Sequence, residues 1–385
     1  MHPDLIAEIS RGAIRRNLAR VRAACGSQTG LCAVLKSNAY GHGLSAVVPT
    51  LCDDDVACAA VACLDEAVTV RELGWDRPIL CLGQPLGIRQ SGERGERLAT
   101  IAEHDVTVSV ADLPDVADLE EAAAAAGRSV NVQINVETGM GRLGILPEEA
   151  STLARAAASC PHLRLAGVYT HLAVAEVPGH PHTTSQLERF ECFRKELGIG
   201  GECPPVCHAG NSAAAFAVPQ ARLDLVRVGL AMYGYQLSGE AVLENPLEPC
   251  LRLRSHIVLT KWLPAGHPVG YGCTFVARRA THVGIVPVGY ADGYRRSLSN
   301  RAVLGLGGGD APVIGTVSMD CLAVDLTDLP AVRVGDPVVV IDHRAPRPNS
   351  VESLAGLLET VPYEVTCLLG PRVARVAVAE FPPLS

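Results

Sequence analysis

The stretch LCAVLKSNAYGHG, residues 31–43, sets the reading of the chain. It opens with a short apolar run, Leu31–Leu35, of the length of one buried strand. A single lysine, Lys36, follows at once, and then a polar turn bounded by glycines. Runs of the same kind recur at Ala57–Ala62, Pro78–Leu82, Val106–Val110, Val130–Val136, Leu165–Tyr169, Pro205–His208 and Leu225–Val228. Helix-like segments lie between them, among them Glu121–Ala126, Pro147–Ala158 and Thr184–Leu197. Eight strands alternating with helices up to about Tyr235 predict an α/β fold of the (β/α)8, or TIM, barrel type.

A barrel brings the C-terminal ends of its strands to one face. Polar residues of this chain fall at those ends. Lys36 follows the first run, Arg142 the fifth, His171 the sixth, Asn211 and Ser212 the seventh, and Arg227–Gly229 close the eighth. Each has an ordinary explanation taken singly: a lysine after a strand is commonly solvated, and serine after asparagine commonly caps a helix. Their placement at five strand ends points to one convergent site. Loops after strands seven and eight commonly hold a phosphate in such barrels, and Ser212 and Gly229 stand there. The residues alone thus support a barrel enzyme with a phosphorylated ligand.

Beyond Tyr235 the texture changes. Leu251–Thr260, His282–Val288, Val313–Thr316, Leu322–Leu326 and Val334–Ile341 read as strands separated by turns rich in Gly, Pro and Asp, and only Val351–Leu358 reads as helix. The expectation is a barrel domain over 1–240 and a mainly β domain over 241–385, with a boundary near Ser238–Pro249. The first strand of the chain has the option of packing on the second domain.

Composition narrows the function. The chain has 385 residues, 48% of them hydrophobic, and a formal charge of -8 with no basic run, which speaks against nucleic acid and anionic membrane as partners. There is no apolar stretch long enough to span a bilayer, and Met1–Arg20 carries scattered charges, so the chain is expected to be cytoplasmic. Its 14 cysteines form no CxxC pair and sit singly in apolar surroundings, as small hydrophobes of a reducing compartment do. Cys203, Cys207 and His208 are metal-ligand residue types, but no second ligand pair follows and they read as a loop entering a buried strand; no metal is expected.

Nine segments, in order, carry a resemblance: AVLKSNAYGHG (33–43), TGMGRLG (138–144), Thr170–His171, HAGNSAA (208–214), VRVGLAMYG (226–234), GYGCTF (270–275), PVGYADG (287–293), SMD (318–320) and PYEV (362–365). Together they resemble the alanine racemase family, whose fold is a barrel followed by a mostly β domain. The resemblance implies racemisation of alanine with pyridoxal 5′-phosphate as cofactor, bound covalently to Lys36. Lys36 and Tyr271 are implied as two bases on opposite faces of the substrate. A free amino acid's α-proton is far too weakly acidic for a side-chain base, and the cofactor supplies the missing acidity. A phenol ordinarily ionises near ~10, so Tyr271 needs surroundings that favour its ionised form. His171 and Arg227 are implied as members of a network that helps. Arg227 would face the pyridine nitrogen, and because a guanidinium hardly deprotonates it would donate a hydrogen bond without protonating the ring. An ion pair with Asp224 is the plain alternative for Arg227.

Tyr40, Ser212, Gly229 and Tyr363, with backbone near Asn211 and Leu230, are implied as the phosphate cradle. Arg142 and the main chain at Met319 are implied to bind the substrate carboxylate, with Tyr290 and Asp320 along the approach. The family pattern further implies a head-to-tail homodimer with shared active sites. Three positions depart from it. Asn135 stands where a carbamylated lysine often braces the arginine; a bound anion such as chloride is one substitute for that charge, and Asn135 with ordered water as a neutral brace is the other reading. Thr316 replaces an arginine near the substrate entrance, and Glu176 an aspartate. The two entrance changes keep another small amino acid, such as serine, open as substrate. A decarboxylase on the same barrel and a cofactor carrier without turnover are the competing classes; the racemase motifs with Tyr271 argue against the first, the second domain and Tyr271 against the second.

Overall fold

Eight parallel strands wind into a barrel whose helices pack outside. The computed structural model describes residues 5–87, 92–198, 206–236, 246–307, 309–329 and 331–383. After a first strand, β1 (Ile6–Ser10), the barrel strands are β2 (Gly30–Val34), β3 (Cys58–Val61), β4 (Ile79–Cys81), β5 (Val106–Val110), β6 (Val130–Asn135), β7 (Leu163–Tyr169), β8 (Val206–His208) and β9 (Leu225–Val228). They pair in sequence order, and β9 returns to β2 in parallel register, Gly30 beside Leu225. The β8–β9 seam lacks a strand ladder and is closed instead by the Asp224 amide on the Cys207 carbonyl at 3.1 Å and the Arg227 amide on the Gly210 carbonyl at 2.9 Å. All eight expected runs are therefore strands.

Both faces of a barrel strand are buried, which is why these runs read as continuously apolar. Residues two apart on a strand share a face. Cys32, Val34, Ala60, Leu80 and Leu225 fill one small interior cluster beneath the ring of Tyr40. The same alternation carries Leu225 on to Arg227, Gln133 on to Asn135, and Tyr169 on to His171. Strand periodicity alone thus aims the polar residues of three strands into the mouth.

The second unit is built on a nine-stranded sheet in the order Leu259–Leu263, Thr281–Val286, Leu322–Asp325, Gly309–Ile314, Val303–Leu306, Pro337–Ile341, Leu251–His256, β1 and Ala374–Val378. β1 thus lies between Leu251–His256, antiparallel, and Ala374–Val378, parallel. Its buried Glu8 holds Arg252 at 2.6 Å and Arg254 at 2.8 Å, so the chain's first strand is tied to the second unit by charge as well as by the ladder. Three sequence expectations need correction. The run Leu251–Thr260 is two strands broken at Ile257–Val258. Val303–Leu306 and Ala374–Val378 are strands whose glycine and arginine content masks their period. Pro362–Cys367 is a second helix, started by its proline. The expected boundary begins at Ser238, which lies outside the described residues.

Candidate active site

The C-terminal mouth of the barrel opens into a cavity of about 560 Å³. Lys36, Tyr40, Arg142, His171, Arg227 and Tyr363 are among the residues lining it, as are Asn211, Ser212, Gly229 and Leu230. Ten of the twelve expected site residues meet in this one cavity. Tyr271 and Met319 do not. Both belong to the second unit and stand in solvent, 72% and 51% exposed.

Lys36 begins an unusual piece of backbone. Ser37, Asn38, Ala39 and Tyr40, none of them glycine, all have φ between 53° and 56°, a left-handed turn. Such a conformation costs roughly 1–2 kcal/mol per residue, so the surroundings must enforce it. Glu66 does part of this, one carboxylate oxygen accepting from the Ser37 amide at 2.5 Å and the other from the Ala62 amide at 2.8 Å. The Asn38 side chain accepts from the Leu44 amide at 2.8 Å. Gly41 closes the turn with φ 81°, and a Cβ there would stand 1.9 Å from the Thr366 carbonyl. That contact seats the helix Pro362–Cys367 on the lysine turn and brings Tyr363 and Cys367 to the cavity wall. Burial, and then the charge of Arg142, push the Lys36 amine below the ordinary lysine value. An amine eased toward its neutral form suits a nucleophile or a base.

Arg227 is buried and makes four contacts. Nη1 donates to His208 Nδ1 at 2.6 Å; the two hydrogens of Nη2, one of them shared, serve the Thr170 carbonyl at 2.8 Å, the Ala209 carbonyl at 3.1 Å and His171 Nδ1 at 3.3 Å. A guanidinium has no acceptor, so each imidazole must offer Nδ1 as a lone pair and carry its proton on Nε2. His208 Nε2 accordingly donates to Gln133 Oε1 at 2.8 Å. Burial, reinforced by Arg227, Arg142 and Lys36, drives His171 down to about 3, and burial with Arg227 holds His208 well below its ordinary value. Both rings are neutral. The ion pair of Arg227 with Asp224 does not form, because the Asp224 carboxylate accepts the Cys207 amide at 2.8 Å across the seam.

The side of the cavity expected to hold the phosphate is built on two loops. Ser212 Oγ accepts from the amides of Gly229 at 3.0 Å and Ala231 at 3.2 Å, lashing the loops after β8 and β9 together. A Cβ on Gly229 would stand 2.7 Å from Tyr40 Oη, so only glycine lets that phenol approach. Burial raises the Tyr40 phenol, which therefore keeps its proton. Arg142 sits on a loop shaped by one carboxylate: Glu137 accepts from the amides of Gly139 at 2.5 Å, Met140 at 2.6 Å and Gly141 at 2.8 Å.

Thr316 is buried, 7% exposed, behind the Tyr271 turn of its own chain, and like Tyr271 it does not line this cavity. Glu176 does line the cavity. Tyr290 is exposed, and Asp320 accepts from Arg372 at 2.7 Å. Glu66, Glu137, Gln133, Tyr169 and Cys367 serve or line the site without having been singled out. Only the i, i+2 spacing of Gln133 and Tyr169 to named residues could have found any of them. No cluster of His, Cys, Asp or Glu able to hold a metal occurs among the described residues; Cys203 lies outside them. No helix among the described residues is long and apolar enough to cross a membrane.

Comparison with known proteins agrees with this geometry. Residues 9–237 match the family model "Alanine racemase, N-terminal domain" and residues 250–377 its C-terminal domain. The chain is 38% identical to an alanine racemase of Symbiobacterium thermophilum over 369 residues, 96% of each chain. It is 36% identical to that of Chlorobaculum tepidum over 379 residues, 97% of this chain and 95% of the relative. The solved alanine racemase from D-cycloserine-producing Streptomyces lavendulae superposes with a TM-score of 0.87 at 34% identity, covering 97% of both chains. With both domain models matched in order and relatives aligned from end to end, this chain belongs to the alanine racemase family.

Proposed function

We propose that the chain interconverts L- and D-alanine by a two-base reaction, with pyridoxal 5′-phosphate held on Lys36. The observation that carries the reading is the Lys36 amine: buried, shifted toward its neutral form, and facing an anion cradle and a neutral-histidine network in one cavity. The cavity fits the cofactor chemically. Gly229 leaves room where any Cβ would collide with Tyr40, and the protonated Tyr40 phenol and Ser212 offer phosphate donors. Arg227 offers a ring nitrogen a hydrogen bond without a transferable proton. When bound, the cofactor supplies the electron sink that makes an α-proton removable.

The protein's own groups do the rest. Arg142 orients the substrate carboxylate by charge and hydrogen bonds. The Lys36 amine takes or returns the α-proton on one face. Tyr271 serves the other face from a second subunit, which accounts for its exposure and its distance from its own chain's cavity. The active form is accordingly a head-to-tail homodimer, and the Met319 backbone completes carboxylate binding across it.

Two measurements test this. Borohydride reduction and peptide mapping should place the cofactor on Lys36, and chiral chromatography should show L-alanine converted faster than L-serine. Label on another lysine would overturn the cofactor assignment; faster turnover of serine would leave the chemistry and change the substrate.

A further inference from the structure

We infer that Thr316 is a positioning residue for the second base: a relay of side chains ending on the Tyr271 carbonyl fixes where the phenol stands. The inference rests on the reading of Tyr271 as that base.

Tyr271 opens the short turn Tyr271–Cys273, and its ring, 72% exposed, makes no side-chain hydrogen bond among the described residues. Within its own chain its position is therefore set by the backbone beneath it. That backbone is left-handed at Gly270 (φ 72°), Gly272 (φ 73°) and Cys273 (φ 48°), a conformation that needs outside support at the cysteine. The support comes from behind. Thr316 Oγ1 donates to the Tyr271 carbonyl at 2.7 Å. Having spent its one proton there, the Thr316 hydroxyl must accept from Thr274 Oγ1, 3.2 Å away. Thr274 Oγ1 in turn accepts from Asn300 Nδ2 at 3.1 Å. Asn300 Oδ1 closes the circuit by accepting the Gly315 amide, beside Thr316, at 2.6 Å.

Every hydroxyl in this chain donates once and accepts once, so the direction is fixed and each bond reinforces the next. The relay joins three segments of the second unit and reaches the turn at both its first residue and its exit, Thr274. A Cβ on Gly270 would lie 3.1 Å from the Thr316 amide, so the turn and its support are in close contact throughout. Valine at 316 keeps the shape but drops the proton.

The test follows racemisation and α-proton exchange together in deuterium oxide, with cofactor-loaded enzyme. Thr316→Val should lower kcat about 10- to 100-fold, the scale of an ångström misplacement of a reacting group. KM should change by less than about 3-fold, since ground-state binding is untouched. Exchange without inversion should persist for the one enantiomer whose α-proton faces Lys36, so the exchange-to-inversion ratio rises for that enantiomer alone. Thr316→Ser should restore both readouts, and Thr274→Val should shift the ratio the same way to a smaller extent. A purely structural role would slow exchange and inversion together. Unchanged ratios in Thr316→Val, or serine as damaging as valine, would overturn the inference; if Thr316→Val does not fold, Thr274→Val and Thr316→Ser decide it. Tyr271→Phe run in parallel separates the two failures. Normal turnover there removes the second-base reading itself, whereas a dead Tyr271→Phe beside an unshifted Thr316→Val removes only the relay.

Discussion

Arg227 and His208 meet inside the barrel with Nη1 2.6 Å from Nδ1, an always-charged donor against a ring that must stay neutral to receive it. Protonating His208 would set two cations against each other in a buried space. His171 is in the same position through Nη2. His42, fully buried and stacked on Tyr233 at 4.3 Å, is pushed down to about 4 by burial.

These three imidazoles predict acid sensitivity. Their ordinary value in an unfolded chain is near ~6.5, and each is lower when folded, so below that pH the unfolded chain binds more protons. Stability is fully present above about 6.5 and falls as pH drops toward about 4, by roughly 1.4 kcal/mol per unit for each ring. Urea unfolding of the apoenzyme from pH 7 to 5 should show the loss, with net proton uptake on unfolding by calorimetry at pH 5. Stability flat over that range would mean the rings are charged when folded, and the tautomers deduced for them wrong.

Gly229 gives a sharper test of the cradle. Its missing side chain is occupied by Tyr40 Oη, and Tyr40 is itself packed between Tyr233 and Tyr363 with ring centroids 5.2 and 6.1 Å away. The phenol has little room to retreat. Gly229→Ala should weaken retention of the cofactor by at least about tenfold, roughly the worth of one strong hydrogen bond to a charged group. Removing the colliding oxygen with Tyr40→Phe in the same chain should relieve the clash, so the double variant should lose less than the sum of the singles. Equilibrium dialysis against pyridoxal phosphate, with thermal melting as a folding control, measures both; additive losses would mean the two residues act apart.

The barrel was legible because its strands are buried on both faces and its polar residues break that pattern only at the mouth. Lys36, Arg227 and His171 announce themselves as exceptions to an apolar rule. The second unit was less so: Ala374–Val378 is a five-residue run holding one arginine, too short to stand out, and pairs in parallel with β1. The left-handed turn after Lys36 left no trace, since Ser37, Asn38 and Ala39 carry no glycine signal and the conformation is imposed by Glu66, far along the chain. Thr316 was read as an entrance residue by analogy of position; its bond to the Tyr271 carbonyl belongs to a relay among three segments that no local pattern encodes.

Asn135 and Arg142 pose an electrostatic question that halide can answer. Both line the cavity, and the Arg142 guanidinium has no carboxylate partner among the described residues. Asn135 offers an amide donor without charge, and Gly144, whose Cβ would lie 3.2 Å from Asn135 Cγ, leaves that amide close to the arginine loop. A small anion bridging amide and guanidinium would supply the charge that keeps Arg142 from collapsing onto its ligands. Crystals soaked in bromide should show an anomalous peak between the two side chains. Absence of the peak, with activity indifferent to replacing halide by a bulky anion, would leave Asn135 as a neutral brace.

The assembly prediction turns on two residues that one chain keeps apart. Lys36 lines the cavity, and Tyr271 stands outside it on the second unit. If each site draws its lysine from one subunit and its tyrosine from the other, Lys36→Ala and Tyr271→Phe damage different sites in a mixed dimer. One site then carries both lesions and the other carries none. Each homodimer has two broken sites, so the separate variants are inactive. Random exchange of equal amounts makes half the dimers mixed, and restores activity toward roughly a quarter of the wild-type value in a closed two-fold dimer. Subunit exchange is followed independently by mixing tagged and untagged chains and measuring the hybrid fraction by native mass spectrometry. Activity should rise in proportion to that fraction. Hybrids that form without any return of activity would show that Lys36 and Tyr271 do not meet across the dimer, and the shared-site arrangement would have to be abandoned.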